Sequence, residues 1–397
     1  MSETQPSLPD GFRYAGVACG IKPSGKPDVA LIVADGPSIA AAVYTKNRVV
    51  AAPVVVCRSR TPSSTVRAVV INSGNANACT GPAGAADAVA MTAQVAQRVG
   101  CDEADVLIMS TGVIGQPLPM QRVSAGIVQA HHALGSGINA FHDAAEAIRT
   151  TDIDRKTTHR TCVTGRGEYS VAAMAKGAGM IAPDMATMLA VMITDAPLDQ
   201  GTADRIIREV ADCSFNRISV DGHTSTNDTL ILLSSGQGEP LEGPDLAVLV
   251  GQLRDAGVEL AKRIVADGEG AKHFFEVAVS GASSDSDADR IAATVAASPL
   301  VKTAISGGDP NWGRIVSAAG YAPAEIDPEQ MGLKILGVTL YEHGTPLAFD
   351  HQELRRQMTQ TREITVELSV GGGPGRARRW ASDLTTDYVT FNAEYTT

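Results

Sequence analysis

Apolar and polar positions change period several times along the chain, and each change marks a boundary between strand and helix. Short apolar runs bounded by turn residues, at Val29–Ala34, Ala41–Tyr44, Val54–Cys57 and Val69–Ile71, read as strands. From Ala83 to Val99 the apolar positions recur at helical spacing, and Gly100 supplies a glycine stop. The same spacing predicts helices over Met120–His132, Ala140–Arg149, Thr202–Asp212, Ala247–Ala266 and Ser286–Ala297. Strands are expected at Val106–Met109, Ser170–Ala173, Met188–Ile193 and Leu230–Leu233, and later at Leu333–Leu340 and Ile364–Val370. Strands and helices mix without strict βαβ alternation, which favours layered sheets over a doubly wound nucleotide fold.

At 397 residues the chain exceeds one ordinary core, so two domains are expected. Hydrophobic residues make up 44% and charged residues 19%, a globular balance, while aromatics reach only 4%. The core is therefore built from small and aliphatic side chains. A formal charge of −11, with one dense basic run at Arg376, Arg378 and Arg379, argues against nucleic-acid binding, which needs a basic face. Six scattered cysteines with no CxxC pair and no Cys/His cluster predict buried thiols rather than disulfides or a metal site. The start, MSETQPSLPDGF, is polar, and no apolar run approaches membrane-spanning length, so a cytoplasmic protein is expected.

Candidate chemistry is sparse in the bare pattern. Gly371–Gly375 lacks the following Lys-Ser/Thr of a phosphate loop, and Gly165-Arg166-Gly167 leads into a strand rather than a helix. Both read as turns. The eight histidines are dispersed and no GxSxG elbow is present. Three polar stretches remain. Asn72–Gly81 reads as an ordered turn able to line a pocket, and Asp221–Asp228 as a polar loop between two strands. Ser110–Gly115 follows an apolar strand and offers backbone N–H groups plus the Thr111 hydroxyl, the parts of an oxyanion hole, though such a loop is more often just a turn.

The segment Lys176–Ile193 is the most suggestive. A glycine- and alanine-rich approach leads into an apolar strand headed by a single hydroxyl, Thr187. Alone, Thr187 is most simply a β-branched strand residue. The chemical alternative is a threonine that attacks the preceding carbonyl, is released by hydrolysis, and then uses its own freed amine as base. Patterning leaves both open.

Here the chain resembles the glutamate N-acetyltransferase/ornithine acetyltransferase family of arginine biosynthesis, over nearly its whole length. The resemblance is carried by Gly16–Lys22, Ile71–Gly81, Ser110–Gly115, Lys176–Ala190, Phe215–Asp228, Asp267–Ala271, Asp309–Arg314 and the tail from Asp387 to Thr397. It implies a layered α-β-β-α N-terminal-nucleophile-like sandwich with a second, smaller α/β domain. It also implies self-cleavage between Ala186 and Thr187, giving an α chain 1–186 and a β chain 187–397 that assemble as α2β2. By the same resemblance Thr187 is the nucleophile, Thr111 and Gly112 match the oxyanion pair, and Lys176, Thr187, Glu269, Asn392, Thr397 and, from the Thr150-Thr151 pair, Thr150 match substrate-contacting positions. Lys176 and Glu269 also make chemical sense, since an amino-acid substrate carries both a carboxylate and an ammonium. Taken alone, each would be a solvated surface charge. The implied reaction moves an acetyl group from N-acetylornithine to glutamate with no metal or bound cofactor; acetyl-CoA is a second donor in bifunctional members. Two departures, Lys272-His273 where relatives carry Thr-Lys and His223 where an acid is usual, touch substrate preference rather than the chemistry. The competing readings are a self-cleaving aminopeptidase and an uncut ligand-binding relative.

Overall fold

The strand Val29–Tyr44 organises the larger part of the molecule. In the computed structural model, which describes residues 7–182 and 188–394, it is β2, following β1 (Phe12–Val17). Its first half runs antiparallel to β1 on one side and to β3 (Ser63–Asn75) on the other. The polar triplet Asp35-Gly36-Pro37 separates the two apolar runs seen in the sequence, yet the strand does not end there. It shifts register against β3 and changes its other neighbour. β4 (Val106–Val113), β5 (Lys156–Thr164), β6 (Gly167–Lys176) and β7 (Leu189–Thr194) follow. A two-residue β8 (Ile218–Ser219) belongs to another sheet, and β9 (Thr229–Ser234) pairs with the second half of β2. The order across the sheet is β4-β3-β2-β9-β7-β6-β5, with β1 beside β2. β7 and β9 are buried at every residue, as expected of strands covered on both faces.

Helices clothe this sheet. α1 (Ala52–Arg60) occupies the stretch where Val54–Cys57 suggested a strand. A four-residue apolar run cannot separate the two by period. Pro53 in the first helical turn and the burial of Val54 and Cys57, three apart, with Val55 57% exposed, show why the helix wins. α2 (Gly81–Val99), α3 (Met120–His132) and α4 (Ile138–Ala147) share one core with β1–β4. Gly100 ends α2 in the left-handed conformation, as its position predicts. α5 (Gln200–Cys213) and α6 (Gly243–Ala266) bury their apolar faces with β6, β7 and β9 in a second core that also takes in Phe274 and Trp380.

Those two aromatics come from a smaller α/β unit. β10 (Phe274–Ala282), β11 (Gly332–Ile335), β12 (Val338–Glu342), β13 (Thr345–Pro346), β14 (Glu363–Ser369) and β15 (Gly375–Ser382) form a sheet in the order β13-β12-β11-β14-β10-β15-β8. α7 (Asp285–Ala297), α8 (Pro299–Ser306), α9 (Trp312–Gly320) and α10 (His351–Gln360) close its core. The apolar stretch Leu333–Leu340 is a hairpin rather than one strand, because Leu336 and Gly337 adopt positive φ and turn the chain. α11 (Thr386–Glu394) returns the chain toward the larger sheet. The chain thus builds layered sheets and helices with a second, smaller α/β unit. Among the described residues no helix is long and apolar enough to cross a membrane.

Candidate active site

The parallel strands β3 and β4 end together, and their ends are held closer than side chains would allow. A Cβ on Gly112 would stand 2.3 Å from the Gly74 carbonyl carbon and 2.4 Å from the Asn75 nitrogen. Gly112 also has φ +132°, so glycine is required on two counts. The strand continues through Ser110–Val113, where the sequence suggested a loop, because Asn72–Asn75 pairs with it. Asn227 Nδ2 caps the junction, donating to the carbonyls of Ala76 (2.6 Å) and Ser110 (2.9 Å).

Thr111, on β4, is buried, and its Oγ1 accepts a hydrogen bond from Lys176 Nζ at 3.1 Å. Lys176 is the last residue of β6 and only 3% exposed. Burial pushes its ammonium below the usual lysine range, while the neighbouring Asp152 carboxylate favours the charge. Asp152 is itself buried. Burial alone would raise its acid, but Lys156, Lys176 and the Gly177 N–H hold it well below the usual carboxylate range.

Glu269 enters from the loop after α6, where its backbone N–H donates to Ala178 O at 2.9 Å. Thr151 Oγ1 donates to its Oε1 (2.7 Å) and Asn392 Nδ2 to its Oε2 (3.0 Å). A side chain on Gly179 would collide with this carboxylate. Asp221 accepts from the N–H groups of Met180 (2.6 Å) and Ile181 (2.9 Å) and so holds the chain approaching Thr187.

These groups surround one cavity of about 270 Å³. Thr111, Gly112, Thr150, Lys176, Glu269 and Asn392, which span most of the sequence, all line it. So do Thr151, Asp221, His223 and Tyr388, which the sequence did not single out as contact residues. A hydroxyl-rich pair and an aspartate–glycine loop were visible as polar stretches, but Tyr388 carried no signal beyond its place in the tail. Burial and the nearby Asp221 raise the Tyr388 phenol, which therefore remains a hydrogen-bond donor at neutral pH. Ala186, Thr187 and Thr397 lie outside the described residues. The residue after Thr187 is placed. Met188 is buried and its N–H donates to Asp228 Oδ1 at 3.1 Å. Among the described residues Asp228 Oδ2 has no hydrogen-bond partner, and burial raises its acid well above the usual range. Leu189 is paired with Lys176 across the sheet, so β7 begins beside the cavity's lysine.

The ArgJ family profile matches residues 13–397. The chain belongs to the ArgJ family. The arginine biosynthesis bifunctional protein ArgJ of Rhodopirellula baltica is 56% identical, over 98% of this chain and 96% of its own length. Its counterpart in Geobacter sulfurreducens is 48% identical, over 98% and 99%. A crystal structure of the arginine biosynthesis bifunctional protein from Bacillus halodurans is 36% identical, covers 51% of this chain and 96% of that one, and superposes with a TM-score of 0.48. The family resemblance read from the motifs and the family match over the full chain agree.

Proposed function

We propose that this protein transfers the acetyl group of N-acetylornithine to glutamate through an acetyl-Thr187 intermediate, yielding ornithine and N-acetylglutamate for arginine biosynthesis. The observation that carries the reading is the single cavity lined by Thr111, Gly112, Lys176 and Glu269. An amino-acid substrate presents a carboxylate and an ammonium, and Lys176 and Glu269 supply the opposite charges in a partly water-excluded space. Thr111 accepts its hydrogen bond from Lys176, which leaves its own O–H free to donate to an oxyanion together with the Gly112 N–H.

The chemistry follows from one hydroxyl. In the precursor the Thr187 nitrogen is an amide and cannot act as base. The hydroxyl attacks the Ala186 carbonyl, and water hydrolyses the resulting ester to free the amine. That amine then takes the hydroxyl proton as Oγ attacks the acetyl carbonyl, and returns it to the departing ornithine nitrogen. The amine of glutamate attacks the ester, and Thr187 regains its proton. Thr150, Asn392 and Thr397 contact substrate, and neither metal nor bound cofactor takes part. The fragments 1–186 and 187–397 assemble as α2β2.

Thr187→Ala tests the reading. It should stay one chain on a denaturing gel and transfer no acetyl group, whereas Thr187→Ser should retain some cleavage. The wild type should give a second fragment beginning Thr187-Met188-Leu189. A Thr187→Ala protein that is still cut or still transfers acetyl would overturn the nucleophile. Peptide hydrolysis without transfer would assign the aminopeptidase activity instead.

A further inference from the structure

Lys176 can grip a carboxylate only as an ammonium, yet it sits where burial favours the neutral amine. What offsets the burial is a neighbour with no place in the transfer chemistry. The Asp152 side chain is fully buried beneath the cavity. Its Oδ1 accepts from the N–H of Gly177, the residue after Lys176, at 2.7 Å, and from Lys156 Nζ at 2.7 Å. Its Oδ2 accepts from the Thr150 N–H at 3.0 Å, at the turn whose next residue, Thr151, holds Glu269. Lys156 is also buried and reaches on to Asp267, two residues before Glu269. One carboxylate therefore ties the end of β6 to the Thr150-Thr151 turn, and its lysine partner ties both to the Glu269 loop.

Resting on the acetyl-transfer reading, we propose that Asp152 is a positioning residue that keeps Lys176 cationic for an amino-acid carboxylate while fixing the Thr150-Thr151 turn. The charges around Lys176 divide by sign. Asp152, Glu269 and Asp228 favour its ammonium, Asp152 most and Asp228 least. Lys156 opposes it. Lys22, a half-buried lysine whose Nζ donates to Pro27 O at 2.6 Å, is itself pushed down by Lys176, and by Coulomb reciprocity it opposes the Lys176 charge in turn. The Thr111 hydroxyl is its direct acceptor.

Those signs give a test that a purely structural role fails. Wild type, Asp152→Asn, Lys156→Met and Lys22→Met are exposed to trace acetic anhydride over a range of pH. Acetylation of Lys176 is then followed by peptide mass spectrometry, which reads the pH at which its amine becomes nucleophilic. Asp152→Asn should move that midpoint to lower pH by about 1 pH unit or more. Lys156→Met and Lys22→Met should move it to higher pH, although Lys156→Met breaks the same buried ion pair. Loosening alone would move the first two variants the same way. At a pH between the two measured midpoints, where the variant's Lys176 is neutral and the wild type's is charged, Asp152→Asn should raise KM for N-acetylornithine several-fold with kcat nearly kept, as expected for a lost ground-state contact. An unmoved midpoint in Asp152→Asn overturns the proposal, and so does a moved midpoint with unchanged KM. Should Asp152→Asn fail to fold, Asp152→Ser removes the same charge with a smaller side chain and carries the test, an unmoved midpoint again overturning the proposal. A wild type that transfers no acetyl group refutes the function and leaves the lysine titration to be read on its own.

Discussion

Replacing Thr111 by valine removes one hydroxyl and keeps a β-branched side chain suited to β4. Two interactions go with it. The first is the proposed donor to the oxyanion, whose loss costs roughly 100- to 1000-fold in rate, or about 2.7–4 kcal/mol of transition-state stabilisation. The second is the acceptor for Lys176 Nζ at 3.1 Å. A buried donor left without a partner costs about 1–3 kcal/mol. That second cost falls on the folded state and on Lys176, so it appears as a lower melting temperature and a modest rise in KM rather than as lost kcat. The two are separable by measurement. Self-cleavage timed on a denaturing gel and ornithine release from N-acetylornithine with glutamate should both slow by at least about 100-fold. Melting should fall by a few degrees at most, since an unfolding entropy of about 2.1 cal/mol/K per residue makes 1 kcal/mol worth only about 1 °C in a chain of 397 residues. A Thr111→Val protein that matures and turns over at the wild-type rate would place the oxyanion elsewhere, whatever its melting temperature.

Three further outcomes follow from named contacts. Glu269→Gln keeps the shape but loses the charge, and should weaken use of N-acetylornithine by about 1.5–3 kcal/mol in kcat/KM; unchanged kinetics would remove Glu269 from the binding site. Gly179→Ala places a methyl 2.4 Å from the Glu269 carboxylate and should raise KM about tenfold with little change in melting temperature, a result that steady-state kinetics with both substrates would deny if KM stayed put. Asp228→Asn should stabilise the protein at pH 8 and hardly at all near pH 4. The folded-state acid is raised above its unfolded value, so its favourable contribution is present at low pH and is lost as pH rises, by up to about 1.4 kcal/mol per pH unit. Thermal melts of both proteins across that range check the sign, and equal melting curves at pH 8 would refute it.

Much of the fold was legible because long periodic segments leave little choice. The helix from Gly81 to Val99 has both its apolar face and its glycine stop in the sequence. Val54–Cys57 misled because four residues are too few to show a period, and only the burial of Val54 and Cys57, three apart, with Val55 exposed settles it. The site was legible unevenly. Thr111-Gly112 announced itself as a hydroxyl and a glycine at a strand end, but the clash that demands glycine comes from Gly74, a residue on another strand. Lys176 and Glu269 look like solvated charges in isolation, and motif resemblance alone marked them. Asp152 could not have been found. The sequence around it carries no motif beyond the Thr150-Thr151 pair, and only the fold brings the Gly177 N–H and the Lys156 ammonium onto its carboxylate.

The arrangement of β7 and β9 has a consequence for how the molecule comes apart. β7 lies between β6 and β9, and β9 lies against β2, so strands from after residue 187 are interleaved with strands from before it. The proposed cut at the Ala186–Thr187 bond would therefore remove a covalent link without opening an edge. It would change the molecularity of unfolding instead. Within one protomer the uncut chain unfolds as a single polypeptide, whereas a cut protomer would unfold only by releasing one polypeptide from the other, so dilution would work against it. The proposed maturation would turn a folding equilibrium into a binding one, with the large entropy of freeing two chains held back by the hydrogen bonds and apolar contacts of strands that no longer shared a backbone.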